Sequence, residues 1–291
     1  MQRRQPTPHG RGARAALLVC LMALGSAVAA PFAQAEPTAV PAQVRALHQL
    51  TDLSTNVESF CQTLVETAQL TIQTPDHPMT KQLDASQRER WLSAVTKACE
   101  PDRAVERHLR AFAADYTPDA ARAVTDWYTS ETGKHLLALE AAAAETDWDA
   151  EVSPFIDQIT KEPVPVERVK LFERIDAAVQ STEDAALLQA GVGEILTYAA
   201  RALMPEAERT PREAIDQQLA ALRTHYAQQM RNQQSVVFMF VYRGASDEEL
   251  AAFADFAESP AAHWLHASHR MAMLQLIAEL REEVEAELSG V

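Results

Sequence analysis

Glycine is scarce in this chain, and its scarcity limits the folds that the sequence can adopt. Only five of the eight glycines lie beyond residue 35. Alanine, leucine, glutamate and glutamine dominate the same region, and no stretch alternates apolar and polar residues long enough to suggest a sheet. Because these residue types favour helices, we predict an all-α fold. We interpret the one β-like run, Val236–Tyr242, as the buried end of a long helix.

The first 35 residues have the three-part layout of a secretory signal peptide. Four arginines precede an apolar run at 15–30, and Ala33 and Ala35 supply the small residues that a signal peptidase reads. We predict cleavage before Glu36, with cleavage after Ala30 as the alternative. The run is shorter than the ~20 residues that span a bilayer. The sequence therefore predicts export to a bacterial periplasm, or secretion, without stable membrane insertion after cleavage.

Two segments of the chain, Asp126–Leu136 and Asp255–Leu265, align without a gap at an offset of 129 residues. Helix-breaking residues recur near the same offset, at Ser54-Thr55 and Ser181-Thr182 and in the proline-containing loops 74–84 and 203–213. The order of breaks reflects the fold more directly than any single side chain does. We therefore predict a duplicated helical unit.

The predicted organisation is a signal peptide at 1–35 followed by two related antiparallel helical halves at 36–162 and 163–291. The proline-rich stretch Lys161–Glu167 separates the halves. The 256 residues that remain after cleavage are enough to bury one sizeable core or two smaller ones.

Each copy of the repeated segment is predicted to form a helix, a sharp corner and a second helix. Ser130 and Ser259 are good caps for the second helix, and Pro260 suits its first turn. Gly133 lies in that turn of the first copy, where the missing side chain lets the two helices approach closely. The residues assigned to this structural motif are Trp127, Tyr128, Ser130, Gly133, Phe256, Ser259 and Pro260.

These residues also carry a resemblance. The first copy resembles an uncharacterised family of exported bacterial proteins, known as a domain of unknown function, whose segment reads F-Y-x-S-x-x-G-x-K/R-L. Tyr128, Ser130 and Gly133 match that pattern, whereas the second copy departs from it at Ala257 and Ala262. The resemblance implies a helical periplasmic protein and brings no catalytic residues with it.

Three histidines, His263, His266 and His269, recur at intervals of three on a predicted helix. Neighbouring pairs could share a zinc, copper or nickel ion, since imidazole binds all three metals. A partly buried helix face is the favoured interpretation, because His266 aligns with Leu137 of the first copy and no cysteine or carboxylate motif completes a site. We predict no cofactor, with these histidines as the only metal candidates.

Two cysteines, Cys61 and Cys99, remain after cleavage of the signal peptide. An isolated pair in an oxidising compartment usually forms a disulfide, so we predict a bond between them. Two buried free thiols are the alternative. Neither cysteine belongs to a C-x-x-C pair, which argues against a thioredoxin-like redox role.

The balance of charge bears on the function. Loss of four arginines with the signal peptide would change the formal net charge from −15 to about −19. Such an acidic chain is a poor ligand for nucleic acid or anionic lipid. Nucleophile elbows, phosphate loops and zinc-protease motifs are missing from the sequence.

We therefore predict an exported, non-enzymatic protein that binds through a groove between helices or between halves. An apolar ligand, a peptide or an envelope protein would be its partner. A hydrolase with a site assembled from scattered residues and a structural or stress-related envelope component are the alternatives.

Overall fold

The computed structural model describes residues 40–74 and 76–290, so the predicted signal peptide lies outside the described residues. The described chain forms α-helices and one 3₁₀ turn at Glu206–Glu208, with no strand among these residues, which confirms the all-α fold. None of its helices is long and apolar enough to cross a membrane. The helices are α1 (Ala42–Leu50), α2 (Leu53–Gln73), α3 (Ala85–Ala98), α4 (Pro101–Ala113), α5 (Pro118–Thr129), α6 (Glu131–Ala144), α7 (Trp148–Lys161), α8 (Val166–Val179), α9 (Ser181–Leu203), α10 (Arg212–Val241), α11 (Asp247–Ala257) and α12 (Pro260–Ser289).

Several predicted breaks coincide with connections between helices. The loops 74–84 and 203–213 lie between α2 and α3 and between α9 and α10. The junction at Lys161–Glu167 contains the connection from α7 to α8. Val236–Tyr242 contains the end of α10, and Phe238, Phe240 and Tyr242 are buried there, as expected for a buried helix end.

The predicted break at Ser54-Thr55 is wrong, because both residues lie inside α2. The chain bends at Asp52, which takes the left-handed conformation with φ of 56°. The Thr55 hydroxyl donates to the Asp52 carboxylate at 2.6 Å, so the hydroxyl supports the bend from within the following helix. Aspartate tolerates this conformation better than most residues.

The break predicted at Ser181-Thr182 lies one or two residues after the observed bend. The left-handed residue there is Gln180, with φ of 55°, and α9 begins directly after it. The Thr182 hydroxyl donates to Asp176 of α8 at 2.9 Å, and the Ser181 hydroxyl also donates to Asp176. Each predicted half therefore begins with two helices whose connection contains one left-handed residue.

One hydrophobic core crosses the predicted boundary between the halves. Its largest cluster joins buried residues of α2 and α3, such as Trp91, with residues of α9 and α12. Gly191 permits a close approach in this core, because a Cβ atom added there would lie 2.6 Å from Cδ1 of Ile277. The predicted halves thus stabilise each other instead of folding around separate cores.

The second helix of each predicted corner, α6 or α12, packs against the opposite predicted half. Helix α6 contacts α10 and α11, and α12 contacts α4 and α5. This exchange brings the two predicted corners, α5–α6 and α11–α12, next to each other.

Candidate functional site

An open apolar groove lies between α5 and the corner that joins α11 to α12. Its volume is about 620 Å³. The α5 side is formed by Thr117, Asp119, Ala120 and Ala123, and the opposite side by Phe256, Ser259, Pro260, Ala261 and Trp264. One wall therefore comes from each predicted half, and most of the lining is apolar.

Local hydrogen bonds fix the corner that forms the second wall. The Ser259 hydroxyl accepts a hydrogen bond from the Ala262 N–H at 3.2 Å, and Pro260 occupies the first helical position. Ala262 is fully buried inside the bend. These features hold Phe256 before the corner and Trp264 after it on the same side of the groove.

The corner in the first half has the same caps and a tighter bend. The Ser130 hydroxyl accepts from the Gly133 N–H at 3.0 Å and donates to the Trp127 carbonyl at 2.6 Å. A Cβ atom added at Gly133 would lie 2.2 Å from that carbonyl oxygen. Because backbone atoms cannot move away as a flexible side chain can, this position requires glycine.

Trp264 forms a fixed wall of the groove. Its indole N–H donates to the carbonyl of Asp115 at 2.8 Å. Its ring contacts Phe112 and Tyr116, with centroid distances of 5.7 and 6.2 Å. A tryptophan held in this way offers a large apolar surface with little loss of side-chain freedom on binding.

A chain of buried hydrogen bonds lies below Phe112. Nδ1 of His48 is 2.8 Å from the Ser54 hydroxyl, and Nε2 of His48 is 2.8 Å from Nδ1 of His108. Nε2 of His108 is 2.6 Å from Nδ1 of His269. The three histidines are at least 98 % buried, and the Nε2 atom of His269 at the inner end has no hydrogen-bond partner. We call Ser54, His48, His108 and His269 the histidine chain.

The imidazoles of the histidine chain are held neutral. Burial lowers the pKa of His48 to about 4, with a smaller contribution from the Arg45 charge. Burial, together with the neighbouring His48, lowers the pKa of His108 to about 3. The pKa of His269 is lowered well below its ordinary value, first by burial and then by the other two rings of the chain. Removal from water disfavours the charged form of each ring.

The structure separates the three histidines named as metal candidates. His263 is exposed, whereas His266 and His269 are buried, and His269 contacts His108 instead of a shared ion site. Within residues 40–74 and 76–290, no group of three or more histidine, cysteine, aspartate or glutamate side chains is placed to hold a metal.

The sequence pattern did not indicate that His48 and His108 would lie next to His269. They precede His269 by 221 and 161 residues, and each stands alone among unrelated neighbours. Their only sequence signal is a position on the apolar face of a helix, which also describes many core residues.

A second buried polar contact involves the motif residue Tyr128. The Tyr242 hydroxyl donates to Oε1 of Glu140 at 2.5 Å. Burial raises the pKa of the Glu140 carboxyl to about 7, although the bond from Tyr242 acts in the opposite direction. Burial, then the nearby Glu140, raises the pKa of Tyr128. This contact packs α5, α6 and the end of α10 together and lies outside the groove.

The two cysteines predicted to form a disulfide are close neighbours. The sulfur atoms of Cys61 and Cys99 lie 2.8 Å apart, and both residues are buried. The hydrogen bond to Cys61 and burial raise the pKa of the Cys99 thiol. A disulfide has an S–S length of about 2.05 Å, so the pair is placed near bonding distance and the bond itself stays a prediction.

Comparison with known protein families identifies one similar segment. A family described as "Uncharacterized protein conserved in bacteria (DUF2059)" matches residues 102–160. This segment runs from α4 to α7 and contains the corner with Ser130 and Gly133. Neither curated proteins nor solved structures give a match.

Proposed function

We propose that this protein is an exported, non-enzymatic binding protein and that its groove holds apolar side chains of a polypeptide partner. The observation that carries the proposal is the groove itself. It is open and mostly apolar, its volume is about 620 Å³, and Trp264 is fixed in its wall. Sites for small ligands enclose most of the ligand surface. A groove open to solvent is better suited to a few side chains of a longer chain.

Charge favours a cationic polypeptide as the partner. The exposed carboxylate of Asp119 lies at the groove, where it forms a solvent-exposed ion pair with Arg122 at 3.3 Å. The main electrostatic argument is therefore the formal net charge of the chain, −15. An acidic surface accelerates encounter with basic partners and repels acidic ones. The N-terminal sequence supports export to the periplasm, where such a partner would be another exported protein.

The hydrolase alternative receives less support from the groove. An enzyme of that class needs a nucleophile or an acid–base pair in its cleft. Among the described residues that line the groove, Asp119 is the only titratable one. The histidine chain and the Glu140–Tyr242 contact are both absent from the groove lining.

We also propose that the two halves are copies of one ancestral unit. Contacts between the halves occur in reciprocal pairs at the offset of 129 residues. A Cβ atom at Gly244 would meet Leu139 at 3.1 Å, and the residues at the exchanged positions, Asp115 and Ser268, share a hydrogen bond of 2.8 Å. Reciprocal contacts of this kind are expected where two copies face each other across a two-fold axis.

Groove binding is tested with Nile red and with an amphipathic peptide of leucine and lysine. We expect the wild-type protein to bind the dye and the peptide to displace it. Ala123→Trp, which places an indole in the groove, should weaken both interactions roughly tenfold or more. Ala138→Trp on the exposed face of α6 is the matched control and should leave both unchanged. Equal affinity in wild type and Ala123→Trp would contradict the proposal, and displacement by a fatty acid but not by the peptide would contradict the polypeptide partner.

A further inference from the structure

The histidine chain lies one aromatic ring below the groove. The Phe112 ring has its centroid 5.7 Å from that of Trp264 in the groove wall. The same ring stacks on His108 at 6.2 Å and meets His48 edge-on at 6.1 Å. Phe112 lies on α4 and Trp264 on α12, and side chains in a core are close-packed. A shift of α4 relative to α12 would therefore change the contact between these two rings.

The three imidazoles offer six ring nitrogens, and their protons can be counted. Each nitrogen-to-nitrogen hydrogen bond requires one proton, which accounts for two protons. A neutral chain has three protons, so the third lies at one end, either on Nδ1 of His48 facing Ser54 or on Nε2 of His269. Ser54 is partly exposed, whereas Nε2 of His269 is buried without a partner. The neutral chain is therefore best satisfied with its terminal proton at the Ser54 end.

A fourth proton fits without breaking either nitrogen-to-nitrogen hydrogen bond, because it occupies the other terminal nitrogen. The chain then carries one positive charge shared by three rings. We propose that the histidine chain is a binding site for one such proton, and that the bound proton weakens ligand binding in the groove. This inference rests on the proposed binding function of the groove.

The surroundings of the chain do not compensate an added positive charge. The ionisable groups that act on its rings from outside the chain are Arg45, His266 and Arg270. The carboxylate of Glu106 on α4 forms an ion pair with Arg45. The carboxylate of Asp184 on α9 forms an ion pair with Arg270. The carboxylate of Asp115, at the end of α4, accepts from Ser268 of α12. Helix α2 contributes the neutral Ser54 hydroxyl at the outer end.

A charge that is buried and unpaired is relieved when the packing opens to water. The helices that hold the rings are α1, α4 and α12, and α4 and α12 also carry Phe112 and Trp264. Opening of this contact would move the Trp264 wall away from α5, so the groove would lose its shape. The proton and the groove ligand therefore compete for different arrangements of the same helices.

The proton site is tested first by ¹⁵N NMR of the imidazole rings. At neutral pH we expect ¹⁵N–¹⁵N couplings across the His48–His108 and His108–His269 hydrogen bonds. The three rings should report one shared protonation step, well below the ordinary histidine range near 6.5. Independent titration of the three rings near 6.5 would overturn the proton site.

The link to the groove is tested by measuring Nile red affinity at pH 7.5 and about pH 3, below the lowered His48 pKa of about 4, with circular dichroism to verify folding. The wild type should bind the dye roughly tenfold more weakly at the lower pH. In His269→Asn, the asparagine amide keeps a hydrogen-bonding group near the position of the His269 Nδ1 atom, and one ionisable ring is lost. The dye affinity of this variant should therefore change much less with pH. His263→Gln, an exposed histidine on the same helix, is the control and should behave as wild type.

The outcomes separate the two proposals. Dye binding that is equally strong at both pH values would overturn the inference and leave the groove function intact. Failure of the dye and the peptide to bind at either pH would overturn the groove function together with its regulation, and the NMR titration would still decide whether the chain binds a proton. The dye affinity could also depend on pH in the same way in wild type and in the variants Ser54→Ala and His269→Asn. That result would mean that the pH dependence does not originate in the histidine chain.

Discussion

The indole ring of Trp127 lies flat against the phenyl ring of Phe256, with centroids 4.6 Å apart and an interplanar angle of 9°. The two residues are 129 positions apart and occupy the same place in the two predicted copies of the corner. Equivalent residues of a symmetric pair contact each other only close to the two-fold axis. The stack is the contact expected at an internal pseudo-two-fold axis and supports the proposed duplication.

The stack should contribute to stability beyond the burial of the two rings. We expect a double-mutant cycle of Trp127→Leu and Phe256→Leu to give a coupling energy of about 0.5–1.5 kcal/mol. Urea denaturation of the four proteins gives the required free energies of unfolding. Strictly additive losses would mean that the two rings are neighbours without a specific interaction.

Replacement of Gly133 should destabilise the protein although it lies in a helix, where alanine is normally favoured. In Gly133→Ala the new methyl group would meet the Trp127 carbonyl at 2.2 Å. We expect a loss of about 1–3 kcal/mol, since overpacking exceeds the gain in helix propensity. Thermal or urea denaturation measures the change.

Gly193→Ala is the matched control for this prediction. Gly193 also lies inside a helix, and the nearest atom that its added Cβ would meet is Cδ2 of Leu222 at 3.9 Å, an ordinary contact. This variant should be unchanged or more stable by up to about 1 kcal/mol. Equal effects of the two substitutions would show that helix propensity alone governs both positions.

The sequence permitted prediction of features that depend on neighbouring residues. The caps at Ser130 and Ser259 act over three residues, so their side-chain types and spacing were enough to place the corners. The bends at Asp52 and Gln180 were placed one to three residues away, because left-handed residues outside glycine leave little sequence signal.

The histidine chain lay beyond prediction because it depends on tertiary structure. His48 and His108 come together only when α1 packs on α4, and His269 joins them only when α12 of the other half packs there. Apolar periodicity can indicate that a helix face is buried, but it does not show which buried residues share a contact. A groove between helices or between the halves was expected, whereas its position at the second corner followed from the structure.

The buried ion pair between Asp184 and Arg270 should be sensitive to loss of one partner. A guanidinium nitrogen of Arg270 lies 2.6 Å from the Asp184 carboxylate, and both side chains are at least 96 % buried. Arg270→Leu leaves a buried carboxylate without its cation and should cost about 3–5 kcal/mol. The double variant Asp184→Leu with Arg270→Leu should recover much of this loss in urea denaturation. A double variant as unstable as the single one would mean that Arg270 acts through other contacts.

The predicted disulfide can be tested on protein recovered after export. If Cys61 and Cys99 are bonded, denatured protein should show no reactive thiol before reduction and two afterwards. The bond closes a loop of 38 residues, so reduction should lower the free energy of unfolding by about 4 kcal/mol in the chain-entropy model. Two reactive thiols before reduction would contradict the prediction, and Cys61→Ala with Cys99→Ala provides the stability reference.

Glu140 should make stability depend on pH in the direction opposite to an ordinary ion-paired carboxylate. Its folded-state pKa is raised to about 7 by burial, whereas an unfolded glutamate has a pKa of about 4.3. The folded state therefore binds this proton more tightly than the unfolded state. The contribution of the protonated carboxyl is complete below about pH 4.3 and is lost as pH rises towards 7.

Glu140→Gln isolates this effect, because glutamine keeps an oxygen that accepts from the Tyr242 hydroxyl and does not titrate. Relative to wild type, the variant should become more stable between pH 5 and pH 8 by about 2 kcal/mol, a value reduced for the partly exposed side chain. Urea denaturation across this range gives the difference at each pH. Glu131→Gln, an exposed position on the same helix, is the control and should follow wild type. A constant difference between Glu140→Gln and wild type at every pH would mean that Glu140 is ionised in the folded protein throughout, and that its bond with Tyr242 is an ordinary charged hydrogen bond.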